Sequence, residues 1–89
     1  MTAVETLRIN IKWLRHQYNL SQEAFGEVIG SSRPLVGSWE EGRSAPQYDH
    51  LISISDYFKV SIDDLLRVEL SRWYVLQEVK VLAKLTIEE

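Results

Sequence analysis

The 89-residue chain has no cysteine, a single methionine, two prolines and four glycines. The lack of cysteine excludes disulfides, thiolate metal sites and a cysteine nucleophile, and it suits a reducing compartment. Long apolar runs are also missing. The first ten residues, MTAVETLRIN, already contain a glutamate and an arginine, unlike a signal peptide, and no stretch approaches the ~20 apolar residues of a membrane span. A cytoplasmic protein without membrane contact is expected. Excess base is absent as well. The net charge is −3, whereas a sequence-independent nucleic-acid binder usually shows clustered basic residues. His16 and His50 are isolated and have no cysteine to complete a ligand set, so no metal and no cofactor are expected. Ser31, Ser32 and Ser38 have no histidine or lysine base at motif spacing, so no catalytic residue is assigned and an enzyme is not expected.

Hydrophobic residues make up 45% of the chain and charged residues 26%, a globular composition rather than a disordered one. The length suffices for one small domain. Its core is marginal unless helices pack economically or the chain pairs with a copy of itself. Charge is unevenly spread. Residues 1–20 hold Arg8, Lys12 and Arg15 against Glu5, while residues 44–66 hold Asp49, Asp56, Asp63 and Asp64 against Lys59. An acidic chain of this kind still leaves room for a basic face.

Helical spacing organises most of the chain. Leu7, Ile11, Leu14 and Tyr18 share a face, and Thr2 with Glu5 has the pattern of a capping box. Asn19 and Leu20 interrupt this first helix. Ser21 reads as the N-cap of a second, with Ala24, Phe25, Val28 and Ile29 on one side and Gly30 as its end. Ser32 caps a short third helix with Val36 and Trp39 inward; Gly42 ends it and Pro46 prevents continuation. A fourth helix runs from about Tyr48 to Phe58, striped by Leu51, Ile54 and Phe58. Ser61, with Asp64 three residues on, caps a fifth over IDDLL. Residues 1–66 show no convincing strand.

The second helix, a three-residue turn and the third helix have helix-turn-helix spacing. Residues 20–66, LSQEAFGEVIGSSRPLVGSWEEGRSAPQYDHLISISDYFKVSIDDLL, resemble the helix-turn-helix family of phage repressor and Cro proteins, also called the XRE family. The shared features are Leu-Ser-Gln, a Gly-x-Ser turn, an apolar residue four after that Ser, an aromatic-Glu-x-Gly close, a Pro and a final DYFxVSxDxLL. Each is weak alone; the ordered set is specific. The resemblance implies an all-α fold, a compact five-helix bundle over residues 1–66 with an extension over 67–89. It also implies sequence-specific binding of double-stranded DNA as a homodimer.

In such a motif the second of the two helices enters the major groove and the first crosses the backbone. The family's base-reading positions fall on Arg33, Pro34 and Ser38, and Ser32, at the start of the same helix, is assigned to the DNA-binding set with them. An arginine such as Arg33 grips guanine O6 and N7 with two hydrogen bonds. Pro34 offers at best a thymine methyl contact, and Ser38 is short and permissive. The resemblance sets Gln22 against phosphate at a helix N-terminus, where the dipole assists. Arg43 and Ser44 fit phosphate contacts in the following loop. The resemblance also pairs Arg15 with Glu40 as an internal ion pair and leaves Glu41 to solvent.

Pro34 is the second helical residue counted from Ser32, so its missing N–H removes no internal bond. The cap bond is then expected at the N–H of Leu35, with a stiff or slightly opened first turn. Four positions depart from the family pattern. Gly26 and Ser55 replace alanine, Ser31 replaces Val or Ile, and Gly37 replaces a polar residue. Gly26 is expected to destabilise by roughly 0.5–1 kcal/mol.

In residues 67–89, RVELSRWYVLQEVKVLAKLTIEE, the side chains Trp73, Leu76, Val79 and Leu82 form a helical stripe that Val75 widens. Val79–Val81 and Leu85–Ile87 also alternate like short strands, so helix is the favoured reading and strand the alternative. The segment is too apolar for a solvated tail, and homodimerisation through this stripe is preferred to fold-back on the same chain. The expected protein is thus a transcription regulator, a repressor more than an activator, on palindromic operator DNA. The alternative is a helix-turn-helix scaffold that has lost DNA binding and serves as a protein-interaction or dimerisation module. Its motivation is the net acidity together with Pro34 and Gly37 in the reading helix.

Overall fold

The computed structural model describes residues 1–73. Five helices follow one another: α1 (Ala3–Gln17), α2 (Gln22–Ile29), α3 (Arg33–Glu41), α4 (Tyr48–Phe58) and α5 (Ile62–Arg67). Helical backbone resumes at Leu70 and continues to Trp73. No strand occurs among the described residues, and the fold is all-α.

Local chemistry sets most of the boundaries. Glu5 N donates to Thr2 Oγ1 at 3.2 Å, Ala24 N to Ser21 Oγ at 3.0 Å and Asp64 N to Ser61 Oγ at 3.0 Å. Such caps contribute about 1 kcal/mol each. α2 and α3 end on Gly30 and Gly42, with φ of 76° and 79°, where a side chain would be strained. The next residue folds back in each case: Ser31 N donates to Gly26 O at 2.7 Å, and Arg43 N to Ser38 O at 2.9 Å. Gly26 has a separate reason. A Cβ there would lie 3.0 Å from the Ser31 carbonyl oxygen. The missing side chain lets the backbone of α2 meet the turn into α3, so a methyl would regain helix propensity only by pushing that turn away.

All five helices feed one core. α1 gives Leu7, Ile11 and Leu14; α2 gives Phe25 and Ile29; α3 gives Val36 and Trp39; α4 gives Leu51, Ile54 and Phe58; α5 gives Leu65. Phe58 is its aromatic hub. Phe25 stacks on it at a centroid distance of 5.2 Å, and Tyr18 and Tyr57 make edge contacts at 4.8 Å.

The packing runs past Leu66. Leu70 is only 3% exposed and joins the same core. The polar counterpart is Asn10, which interrupts the apolar face of α1 and is fully buried. Its Nδ2 donates to Leu65 O at 2.9 Å and Val68 O at 2.6 Å, and Leu70 N donates to its Oδ1 at 3.1 Å. One amide side chain thereby satisfies the end of α5 and the start of the next helical stretch.

A second polar device ties α1 to α3. Arg15 Nε and Nη2 donate to the two carboxylate oxygens of Glu40 at 2.7 and 3.0 Å, and the side chains are 14% and 5% exposed. Nη1 of Arg15 donates to Leu20 O at 3.1 Å. Hydrogen bonding to Glu40 raises the Arg15 pKa above its ordinary value, outweighing the opposing effect of burial. Two turns earlier on α1, Arg8 Nη1 donates to the main-chain oxygen of Glu40 at 3.4 Å. A cation there faces the negative end of the α3 dipole.

Arg15→Met leaves the buried Glu40 carboxylate without its counter-ion, at about 3–5 kcal/mol. The melting temperature should fall by more than about 10 °C for a domain of this size, and adding Glu40→Leu should recover much of the loss. An unchanged melting temperature in the single variant would refute the clamp. Asn10→Leu strands two carbonyls and an amide, at about 1–3 kcal/mol for each that stays dry. Hydrogen exchange at the Leu70 amide should accelerate roughly tenfold or more; full protection there would mean that another group holds the segment.

Candidate nucleic-acid interface

α2 and α3 are joined by Gly30, Ser31 and Ser32. Val36, Gly37, Trp39 and Glu40 bury one side of α3, while Ser32, Arg33, Pro34 and Leu35 are all exposed and Ser38 is half-buried. Residues three and four apart share a helix face, so Pro34, Leu35 and Ser38 form the outward surface. Arg33 stands at the very start of the helix, and no carboxylate among the described residues pairs with it.

The cap expected from Ser32 to Leu35 is not made. Ser32 has extended backbone (φ −113°, ψ 157°) and its side chain forms no cap bond. Pro34 has already removed one of the two N–H groups that a cap ordinarily uses. The first turn of α3 is therefore left uncapped by its own serine, and the positive end of its dipole faces outward beside Arg33.

The other sequence-assigned residues are held by neighbours. Ser38 Oγ lies 2.7 Å from Ser44 Oγ. Arg43 is exposed and its Nη2 lies 2.8 Å from Glu41 Oε2. Gln22 is half-buried at the first position of α2, and its Nε2 donates to Glu40 Oε1 at 3.4 Å. Gly37 lies beneath Gln22, and a Cβ there would meet Gln22 Oε1 at 3.4 Å, an ordinary contact. Nothing in the structure explains the departure at Gly37. Arg15 and Glu40 lie behind this surface and fix α3 from the rear.

Sequence reasoning passed over Leu35, which is 42% exposed in the first turn of α3. Its signal was an apolar residue off the Val36–Trp39 stripe. It also passed over Arg8, whose partner is a main-chain oxygen 32 positions away; no local pattern announces such a contact. Trp39 is 2% exposed and packs against His50 at 5.2 Å, tilted by 52°. It is core rather than a stacking platform. No group of three metal-ligating side chains occurs among the described residues, and no described helix is long and apolar enough to cross a membrane. Trp73 is 46% exposed at the end of the described chain. Val75, Leu76, Val79 and Leu82 lie outside the described residues.

Comparisons with known proteins agree with this geometry. The chain is 39% identical over 59 residues to the helix-turn-helix-type transcriptional activator BcrR of Enterococcus faecalis, which covers 66% of this chain and 29% of that protein. It is 35% identical over 71 residues to the helix-turn-helix-type transcriptional regulator YqaE of Bacillus subtilis, covering 80% and 61%. It therefore spans less than two thirds of the length of these relatives. A crystal structure of the P22 c2 repressor with a synthetic operator, in the presence of Tl+, matches with a TM-score of 0.64 at 26% identity. That match covers 68% of this chain and 92% of that one. Residues 11–65 match the helix-turn-helix family over its shared domain, and the chain belongs to that family, in its phage repressor and Cro branch.

Proposed function

We propose that the protein is a sequence-specific DNA-binding repressor that works in the cytoplasm, and that it seats the first turn of α3 in the major groove of a palindromic operator as a homodimer. The observation that carries this is the exposed first turn of α3, uncapped by Ser32, with Arg33 paired to no carboxylate among the described residues, presented on a helix clamped from behind by Arg15 and Arg8. Arg33 reads guanine. Pro34 and Leu35 offer apolar surface to thymine methyl groups. Ser38 faces the next base pair, while Ser44, Arg43 and the N-terminus of α2 at Gln22 approach phosphates. Repression follows the likeness to the P22 repressor; among the relatives BcrR is an activator. Trp73, Val75, Leu76, Val79 and Leu82 pair the two copies, so that two half-sites about one helical turn apart are held together.

One observation favours the second reading, a scaffold that no longer binds DNA. Gln22 and Arg43 both contact carboxylates of their own chain. Salt dependence separates the two readings. A DNA binder with several phosphate contacts loses affinity steeply between low and moderate salt.

Arg33→Ala should weaken binding to the selected site by about 1–3 kcal/mol and relax preference at one base pair. This is read by titrating wild type and variant against a site chosen from random DNA and its single-base variants. Equal weakening on every sequence would make Arg33 a phosphate contact. For the dimer, analytical ultracentrifugation of the full chain should report a dimer, and a chain ending at Trp73, which keeps Leu70 and the Asn10 bonds, should be a folded monomer. A monomeric full chain at high concentration would exclude the pairing.

A further inference from the structure

The hydroxyls of Ser38 and Ser44 are 2.7 Å apart, and either atom is able to donate. Each serine has one proton and two lone pairs, so the direction of this bond decides what Ser38 shows to the groove. If Ser44 donates, Ser38 keeps its own proton for an acceptor on a base edge. If Ser38 donates, only lone pairs face outward. We infer that Ser44 is a positioning residue that takes the Ser38 proton, so that Ser38 reads an exocyclic amino group, adenine N6 or cytosine N4. The inference rests on the DNA-binding reading above and sharpens the specificity of that site.

The direction follows from what stands on the far side of Ser44. Ser44 is exposed in the loop after Gly42. That loop is folded onto α3 by the bond from Arg43 N to Ser38 O at 2.9 Å and by the left-handed Gly42. In the proposed complex Ser44 meets a phosphate, whose oxygens accept and never donate. Its single proton goes there. Ser44 is then able only to accept from Ser38, and Ser38 spends its single proton inward. The chain runs Ser38 O–H to Ser44 O, and Ser44 O–H to phosphate. The lone pairs of Ser38 remain, and in the major groove they match the amino donors of adenine and cytosine and repel guanine O6, thymine O4 and purine N7 acceptors. Ser38 shares its face with Pro34 one turn earlier, so this base pair neighbours the one that Pro34 covers. A short side chain that looks permissive in the sequence thus acquires a fixed polarity from a loop residue six positions away.

The test is a selection from random DNA with the full-length protein, followed by affinities for single-base variants of the selected site. The variants are Ser38→Ala, Ser44→Ala, Ser44→Thr and the double alanine. Wild type should prefer adenine or cytosine over guanine or thymine on one strand at one position, on the order of fivefold for a single hydrogen bond. Ser38→Ala should abolish that preference. Ser44→Ala should weaken binding on every sequence, through the lost phosphate bond, and should also flatten the same position, since Ser38 is then free to donate as well as accept. Ser44→Thr, which keeps the hydroxyl, should retain the preference. In the Ser38→Ala background, Ser44→Ala should weaken binding uniformly and change no base preference. An intact amino preference in Ser44→Ala overturns the inference, and so does a wild-type preference for guanine or thymine at the position that Ser38→Ala flattens. The Arg33 position is the internal control. If its preference persists in all these variants, a negative result falls on the serine pair alone; if wild type shows no sequence preference anywhere, the DNA-binding reading fails with it.

Discussion

Glu40 is the residue on which the placement of α3 depends. Its carboxylate receives two bonds from Arg15 and one from Gln22, and its main-chain oxygen receives one from Arg8. Two elements, α1 and α2, therefore converge on a single residue of α3. The carboxylate is almost wholly buried, and a buried carboxylate is tolerated only when its charge and lone pairs are met. That requirement makes the node directional. α3 cannot rotate or slide without stranding Glu40, so its outward face, from Ser32 to Ser38, is set by a contact on the opposite side.

The node also redistributes the positive charge. The basic end of the chain carries three cations on α1, but Arg15 and Arg8 are turned onto α3 and, of the three, only Lys12 is exposed. What faces outward around α3 is Arg33 at its start and Arg43 beyond its end. The two are not equivalent. Arg43 shares an exposed ion pair with Glu41, in which both side chains are more than 60% exposed, and such pairs contribute only ~0–1 kcal/mol. A stronger anion displaces Glu41 easily. Arg15 is held by a carboxylate that has nowhere else to go. The same two residue types thus form a permanent clamp in one place and an exchangeable contact in the other, and burial is what separates them.

Legibility in the sequence followed the range of the interaction. Helix boundaries at Ser21, Gly30, Gly42 and Ser61 were readable because caps and left-handed stops act within four residues. The core stripes of α1, α2 and α4 were readable because burial repeats with the helical period. Asn10 was not assigned, although a polar residue between Leu7 and Ile11 on a core face was a visible anomaly; its partners, 55 to 60 positions away, are set by the fold alone. The attachment of Val68 and Leu70 was hidden for the same reason, because that distant amide holds them. The Ser32 cap on Leu35 was expected from residue type and is not made. The Ser38–Ser44 pair was invisible because six positions separate its members across a left-handed glycine.

These features give the acidity of the chain a physical meaning in the proposed role. Sequence-independent affinity for DNA comes from cations neutralising phosphates. Here Arg8 and Arg15 face inward, and Glu41 stands beside the reading surface and repels phosphate wherever Arg43 does not screen it. In the proposed role, attraction to arbitrary DNA is thereby kept low. What remains is a small set of groups in the first two turns of α3 whose value depends on the base they meet. Weak background binding raises the ratio of specific to non-specific affinity even when the specific contacts are few, and that ratio is what decides occupancy among competing sites. A net negative charge is therefore compatible with operator binding, provided that the reading helix is held firmly enough for its few contacts to be made in register; the Glu40 node supplies that condition.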